Sequence, residues 1–256
     1  MIYFLELAGR PIKLFVEESG KIVLLFLSAL TWLVRPPLRL RLIAKQMEFV
    51  GVQSLSVVMI TAAFAGMVLA LQTYYGFRMF GGESLVGATV ALSLTRELGP
   101  VFTALMVTGR AGSAMAAELG TMKVTEQVDA LYTMSVNPVQ YLIVPRILAA
   151  VLMVPILTIL ADFIGIVGGY FVGVHLLGIN SGIFMARIVE FVEMDDITNG
   201  LIKSAFFGLI LSLIGTFKGF YTTGGAEGVG KATTEAVVYA SVSILISDYI
   251  LTALMF

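Results

Sequence analysis

The sequence predicts an all-α polytopic membrane protein, and three observations carry that prediction. Of its 256 residues, 58% are hydrophobic and only 13% charged, with a mean hydropathy of +0.96, whereas a soluble domain carries about 25% charge. Several apolar runs approach the roughly 20 residues needed to cross a hydrocarbon core. Lysine and arginine also gather in alternate connections, as they do in a chain threaded through a bilayer in one orientation. The same composition excludes other classes. A net charge of −1 gives no basis for nucleic-acid binding, and without cysteine there is no disulfide, thiolate metal site or Cys nucleophile.

Residues 1–45 form an N-terminal segment distinct from the remainder, 46–256. Arg10, Lys13, Glu17, Glu18, Lys21, Arg35, Arg39, Arg41 and Lys45 are interspersed there with apolar positions. The first fifteen residues have an early acid and no basic stretch ahead of an apolar one, so no cleavable signal peptide is expected. The apolar run 22–34 is too short to span. It reads as a basic amphipathic helix lying in the interface with Trp32; a tilted sixth span is the alternative. Pro36-Pro37 should end it.

Five spans follow, at about 49–74, 86–115, 139–174, 197–217 and 233–256. The third is long enough to need tilt or a kink, and Pro155 supplies one. Between the second and third lies a polar, helix-like excursion, about 121–135, closed by Pro138 and Pro145. It reads as a platform for a soluble partner. Arg10, Lys13, Lys21, Arg35, Arg39, Arg41, Lys45, Arg110, Lys123, Arg146, Lys218 and Lys231 share one side. The opposite side holds Arg78 and Arg187 with an acidic patch, Glu190, Glu193, Asp195 and Asp196. The N-terminus is therefore expected in the cytoplasm and the C-terminus outside. Two rows of small residues, Ala161/Gly165/Gly169/Gly173 and Thr108/Gly112/Ala116/Gly120, let helices approach closely, either within one subunit or between two.

Four charges fall inside these spans. Counting inward at 1.5 Å per residue puts Arg96, Glu97, Lys203 and Asp248 at one level, roughly 9–15 Å below the outer surface. Alone in lipid each is costly, so opposite charges at one depth should neutralise each other. The reading is either an ion-pair network tying three helices or a polar collar around a cavity for a charged headgroup. Glu97 reads as the cavity residue because Gly99-Pro100 should bend the helix just after it. Asp162 has no evident partner, and His175 reads as interfacial. Gly225-Ala-Glu-Gly-Val-Gly-Lys231 nearly spells a phosphate-binding loop, but Ala232 stands where the pattern needs Ser or Thr. It therefore reads as a turn, and no catalytic set or metal-ligand spacing is found.

Beyond these readings, the chain resembles the MlaE-type permeases of ABC lipid transporters over about residues 49–256. The resemblance rests on LTRELGP (94–100), GRAGS (109–113), AELG (117–120), TEQ (125–127), Asn137-Pro138, Pro145-Arg146, LIKS (201–204), KATT (231–234) and LTALMF (251–256). It implies a homodimeric inner-membrane permease with an N-terminal interfacial helix and five spans per subunit. A cytoplasmic ABC ATPase, which alone would hold ATP and Mg, would dock on the coupling helix at about 121–135 through Glu118, Lys123, Glu126, Asp129 and Tyr132. A ring of MCE-domain proteins would sit on the periplasmic face, and a STAS-domain protein would bind the ATPase. The substrate implied is phospholipid, moved between inner and outer membranes to maintain outer-membrane asymmetry. It would be held near the first two spans by Glu97, Leu98, Met67, Leu71 and Tyr74. The resemblance also matches Arg96, Lys203 and Asp248 to the family's intramembrane charges. The rival readings are an ion-coupled secondary transporter, with Glu97 and Asp248 relaying protons, and a non-transporting scaffold for an envelope ring.

Overall fold

The structure is a computed structural model that describes residues 2–36 and 39–255, the side chains of 2–15 excepted. The side chains of Arg10 and Lys13, and residues Pro37 and Phe256, therefore lie outside the described residues. Among the described residues there are eight helical stretches and no strand. They are α1 (Ile2–Leu33), α2 (Leu40–Arg78), α3 (Glu83–Val124), α4 (Gln127–Thr133), α5 (Val139–Leu176), α6 (Ser181–Phe191), α7 (Met194–Phe220) and α8 (Gly225–Met255). Five of them, α2, α3, α5, α7 and α8, are long and apolar enough to cross a membrane. That is the all-α polytopic architecture expected from the hydropathy pattern.

α5 is the central element, with α2 and α7 making extensive contacts along it. Small residues permit this packing. A β-carbon on Gly66 of α2 would fall 1.8 Å from the Gly165 carbonyl oxygen, and one on Gly208 of α7 would fall 2.6 Å from that of Ala150. Gly215 and Gly219 of α7 lie against the backbone of Gly112 and Ala116 in the same way. Both rows of small residues are thus engaged inside one chain. Leu25 and Ala29 of α1 are buried with Ile143 and Phe217, which joins α1 to the starts and ends of α5 and α7.

Two connections differ from expectation. The polar excursion is not one helix over 121–135: α3 continues to Val124, and Glu126 then turns left-handed (φ 60) before the short α4. Past the end of α4, Ser135 is also left-handed, and the Val136 N–H donates to the Leu131 carbonyl, a Schellman-type closure. Helix α6 was not anticipated. Asn180 caps it by accepting from the backbone N–H groups of Gly182 and Ile183. Its fully buried Phe184 fills the space left by Gly87 and Gly173.

Candidate functional site

The site begins with a local consequence of proline. Pro100 has no N–H to offer its own helix, and the preceding turn, Leu94–Leu98, is a π turn closed by Gly99 N–H on the Leu94 carbonyl. The Arg96 carbonyl is thereby left open, and the Lys203 ammonium of α7 donates to it at 3.1 Å. Gly200, one turn earlier on α7, makes the approach possible; its β-carbon would lie 2.1 Å from the Thr95 carbonyl oxygen.

Lys203 is fully buried and collects the expected carboxylates. Its Nζ is 2.9 Å from both Glu97 oxygens, 3.4 Å from Asp248 Oδ1 and 2.7 Å from Thr252 Oγ1. The Thr252 hydroxyl also sits 3.1 Å from each Glu97 oxygen. Three helices meet at one ammonium, and Glu97, Lys203 and Asp248 do come together within one chain. The Arg96 guanidinium uses a different acid: its Nε donates to Asp196 Oδ1 at 2.7 Å. Asp196 had been read as part of an outer loop patch. It lies instead in the first turn of α7, buried, where it also accepts from the Glu193 N–H in a capping box. Helical spacing could have found both additional residues. Asp196 lies seven positions before Lys203 on α7, and Thr252 four after Asp248 on α8, each on the same helix face as that member of the cluster.

Beside this cluster, an open apolar groove of about 400 Å³ runs between α2 and α3, lined by Phe64, Val68, Leu69, Gln72, Leu98 and Phe102, among others. Leu98 therefore joins Glu97 to the groove as adjacent residues of one turn. The candidates on α2 are less well aligned. Met67 and Tyr74 pack into the interior cluster with Val90, Leu94 and Phe184, and only Leu71 is exposed. The groove-lining face carries Phe64 and Val68 in their place.

At the other end of α3, the five candidate docking residues divide. Lys123 pairs with Asp129 at 2.8 Å, which clamps α4 to the end of α3, while Tyr132 and Glu126 are exposed. Val128 is the buried anchor of α4. Glu118 reaches back to the buried Arg146 of α5 at 2.7 Å, and Arg146 also donates to the Leu142 carbonyl. Arg110, midway along, bonds Ser54 Oγ, Gln53 Oε1 and the Phe49 carbonyl. That ties α3 to the start of α2.

Known proteins resemble this chain along its length. The profile of the family described as Permease MlaE matches residues 43–254. A protein named a probable ABC transporter permease in Rickettsia bellii is 49% identical, covering 98% of this chain and 96% of its own length. The Haemophilus influenzae protein named intermembrane phospholipid transport system permease protein MlaE is 42% identical, covering 100% and 98%. The chloroplastic protein TRIGALACTOSYLDIACYLGLYCEROL 1 of Arabidopsis thaliana is 41% identical over 83% of this chain and 61% of its own. The match covers all five membrane-length helices and the charged turn before Pro100, so this chain belongs to the MlaE permease family.

Proposed function

We propose that this chain is the membrane subunit of an ATP-driven transporter that moves phospholipids between the inner and outer membranes of a bacterial envelope. The single observation that carries the reading is the junction at Glu97-Leu98. There a buried ammonium–carboxylate cluster borders an apolar groove between α2 and α3, the two environments that a headgroup and its acyl chains require. The names of the relatives supply the substrate class and the ATP-driven partner. In this reading two copies pair, with N-termini in the cytoplasm and C-termini in the periplasm. A cytoplasmic ABC ATPase, itself bound by a STAS-domain protein, docks at α4, and a periplasmic MCE ring receives or delivers the lipid. Neither ATP nor Mg is held by this chain.

Closure of the ATPases would push α4. The Lys123–Asp129 pair carries that push into α3, and the Glu118–Arg146 pair carries it into α5. α3 then shifts against α2 and the groove collapses. ATP drives this only by binding one state more tightly than the other. The test is Glu97→Ala in the assembled complex. Transport of labelled phospholipid should fall on the order of tenfold, as for one lost interaction of about 1.4 kcal/mol, with assembly retained on gel filtration. Unchanged transport would remove Glu97 from the lipid path.

A further inference from the structure

Asp162 of α5 takes no part in the cluster or the groove. It is 9% exposed, and its Oδ1 is buried without a hydrogen-bond partner. The contact that buries it is Gly99 of α3. A β-carbon on Gly99 would lie 1.8 Å from Oδ1, so only glycine leaves room for the carboxyl, and the Leu94 carbonyl oxygen is 2.8 Å from the same point. The Leu94 carbonyl already receives the Gly99 N–H as the π turn closes, but a carbonyl has a second lone pair. One turn along the same face of α3, Thr103 Oγ1 is also buried without a partner. Thr95 and Thr108, by contrast, bond the carbonyl four residues back.

Among the described residues no cation is paired with this carboxyl. α2, whose Gly66 packs on Gly165, has no ionisable residue between positions 55 and 73. On α3, Arg96 pairs with Asp196, and Glu97 is held by Lys203 of α7. On α5 itself the nearest ionisable side chains are Tyr170, Arg146 and His175, two turns away or more. An ionised carboxylate here would be buried with Oδ1 unpaired, which burial penalises heavily.

We propose that Asp162 is a proton-binding site: in this packed state it carries one proton, and its carboxylic O–H donates to the Leu94 carbonyl. The proton is then a ligand of the packed arrangement of α5 on the 94–99 turn. Because that turn holds Glu97 against Lys203, losing the proton and loosening the charged cluster become linked.

The test is infrared difference spectroscopy of the full-length chain in lipid nanodiscs at pH 7, wild type against Asp162→Asn. The expected result is a carboxylic-acid C=O band that shifts in D2O in the wild type and is lost in the variant. This readout does not depend on transport or on an ATPase, so it can fail while the functional reading stands, and the reverse. Spectra that agree in the carboxylic-acid C=O region would mean an ionised Asp162 and overturn the proposal. A thermal midpoint raised by sodium chloride but not by choline chloride, in the wild type only, would assign the site to a sodium ion and overturn it equally. If Asp162→Asn does not fold, ¹³C-labelled aspartate in an Asp248→Asn background leaves position 162 intact. The band must then shift with the label, and a band that does not shift overturns the proposal.

Discussion

α7 carries two lysines fifteen positions apart, and each is caught between two carboxylates from other helices. Lys203 sits between Glu97 and Asp248; Lys218 sits between Glu18 at 3.1 Å and Glu235 at 3.0 Å, with the Tyr239 ring 4.3 Å away. The chemistry is the same, but the surroundings differ. Lys203 is fully buried, and the side chains of Glu97 and Asp248 are 34% and 20% exposed. The Glu18 side chain is 47% exposed, and Lys218 borders a polar cavity of about 350 Å³ with Lys21 and Lys231 at its edge. The comparison teaches that solvent, not pairing geometry, decides what a triad can do. With no exposed surface of its own, Lys203 has no solvent to fall back on, so a group that enters must exchange for one of its partners. With water beside it, Lys218 acts as a peg that joins α1 to α7 and α8.

The largest effect that would sharpen this contrast is at Lys203. Lys203→Met leaves Glu97 and Asp248 facing each other with no cation between them. Removing one partner of a buried pair costs about 3–5 kcal/mol, read as a lower unfolding midpoint in detergent. Replacing Glu97 and Asp248 by Gln and Asn in the same chain should restore most of that loss, since an all-neutral set has no charge left to bury. If the triple variant is no better than the single one, the charges are not what destabilises it. At Lys218 the same change should cost less, about 1–2 kcal/mol, because Glu18 can hydrate. Part of that cost should appear as faster proteolysis in α1, as its tie to α7 is lost. Equal losses at the two lysines would break the comparison.

Much of this was legible in the sequence, for reasons that can be stated residue by residue. Membrane-length apolar runs are a strong signal because lipid leaves the backbone no other way to satisfy its hydrogen bonds. Glu97, Lys203 and Asp248 could be brought together by counting depth alone. Depth, however, carries no azimuth. It could not tell that Arg96 turns away to Asp196, or that Met67 and Tyr74 face the interior while Phe64 and Val68 line the groove. α6 was missed because its apolar run is short and its function is local, to bury Phe184 against two glycines. The break at Glu126 was missed because a left-handed glutamate is not a sequence preference; it follows from where α4 must pack Val128. Asp162 stood out in the sequence as a charge without a partner, and among the described residues its Oδ1 is still unpaired.

The smallest expected effect lies at the opposite extreme of exposure from Lys203. The Lys123–Asp129 pair is open to water on both sides, with side chains 34% and 52% exposed. Exposed pairs of this kind contribute roughly 0.2–1 kcal/mol, less at high salt, so Asp129→Asn should barely move the unfolding midpoint. If α4 is where an ATPase pushes, the same substitution should uncouple ATP hydrolysis from lipid movement, because it unties α4 from α3 while leaving the fold alone. The measurement is the ratio of phospholipid moved to ATP hydrolysed in the reconstituted complex. A fall in that ratio without a fall in stability would separate a coupling role from a structural one. An unchanged ratio would mean that the push travels through Val128 and the buried base of α4 instead.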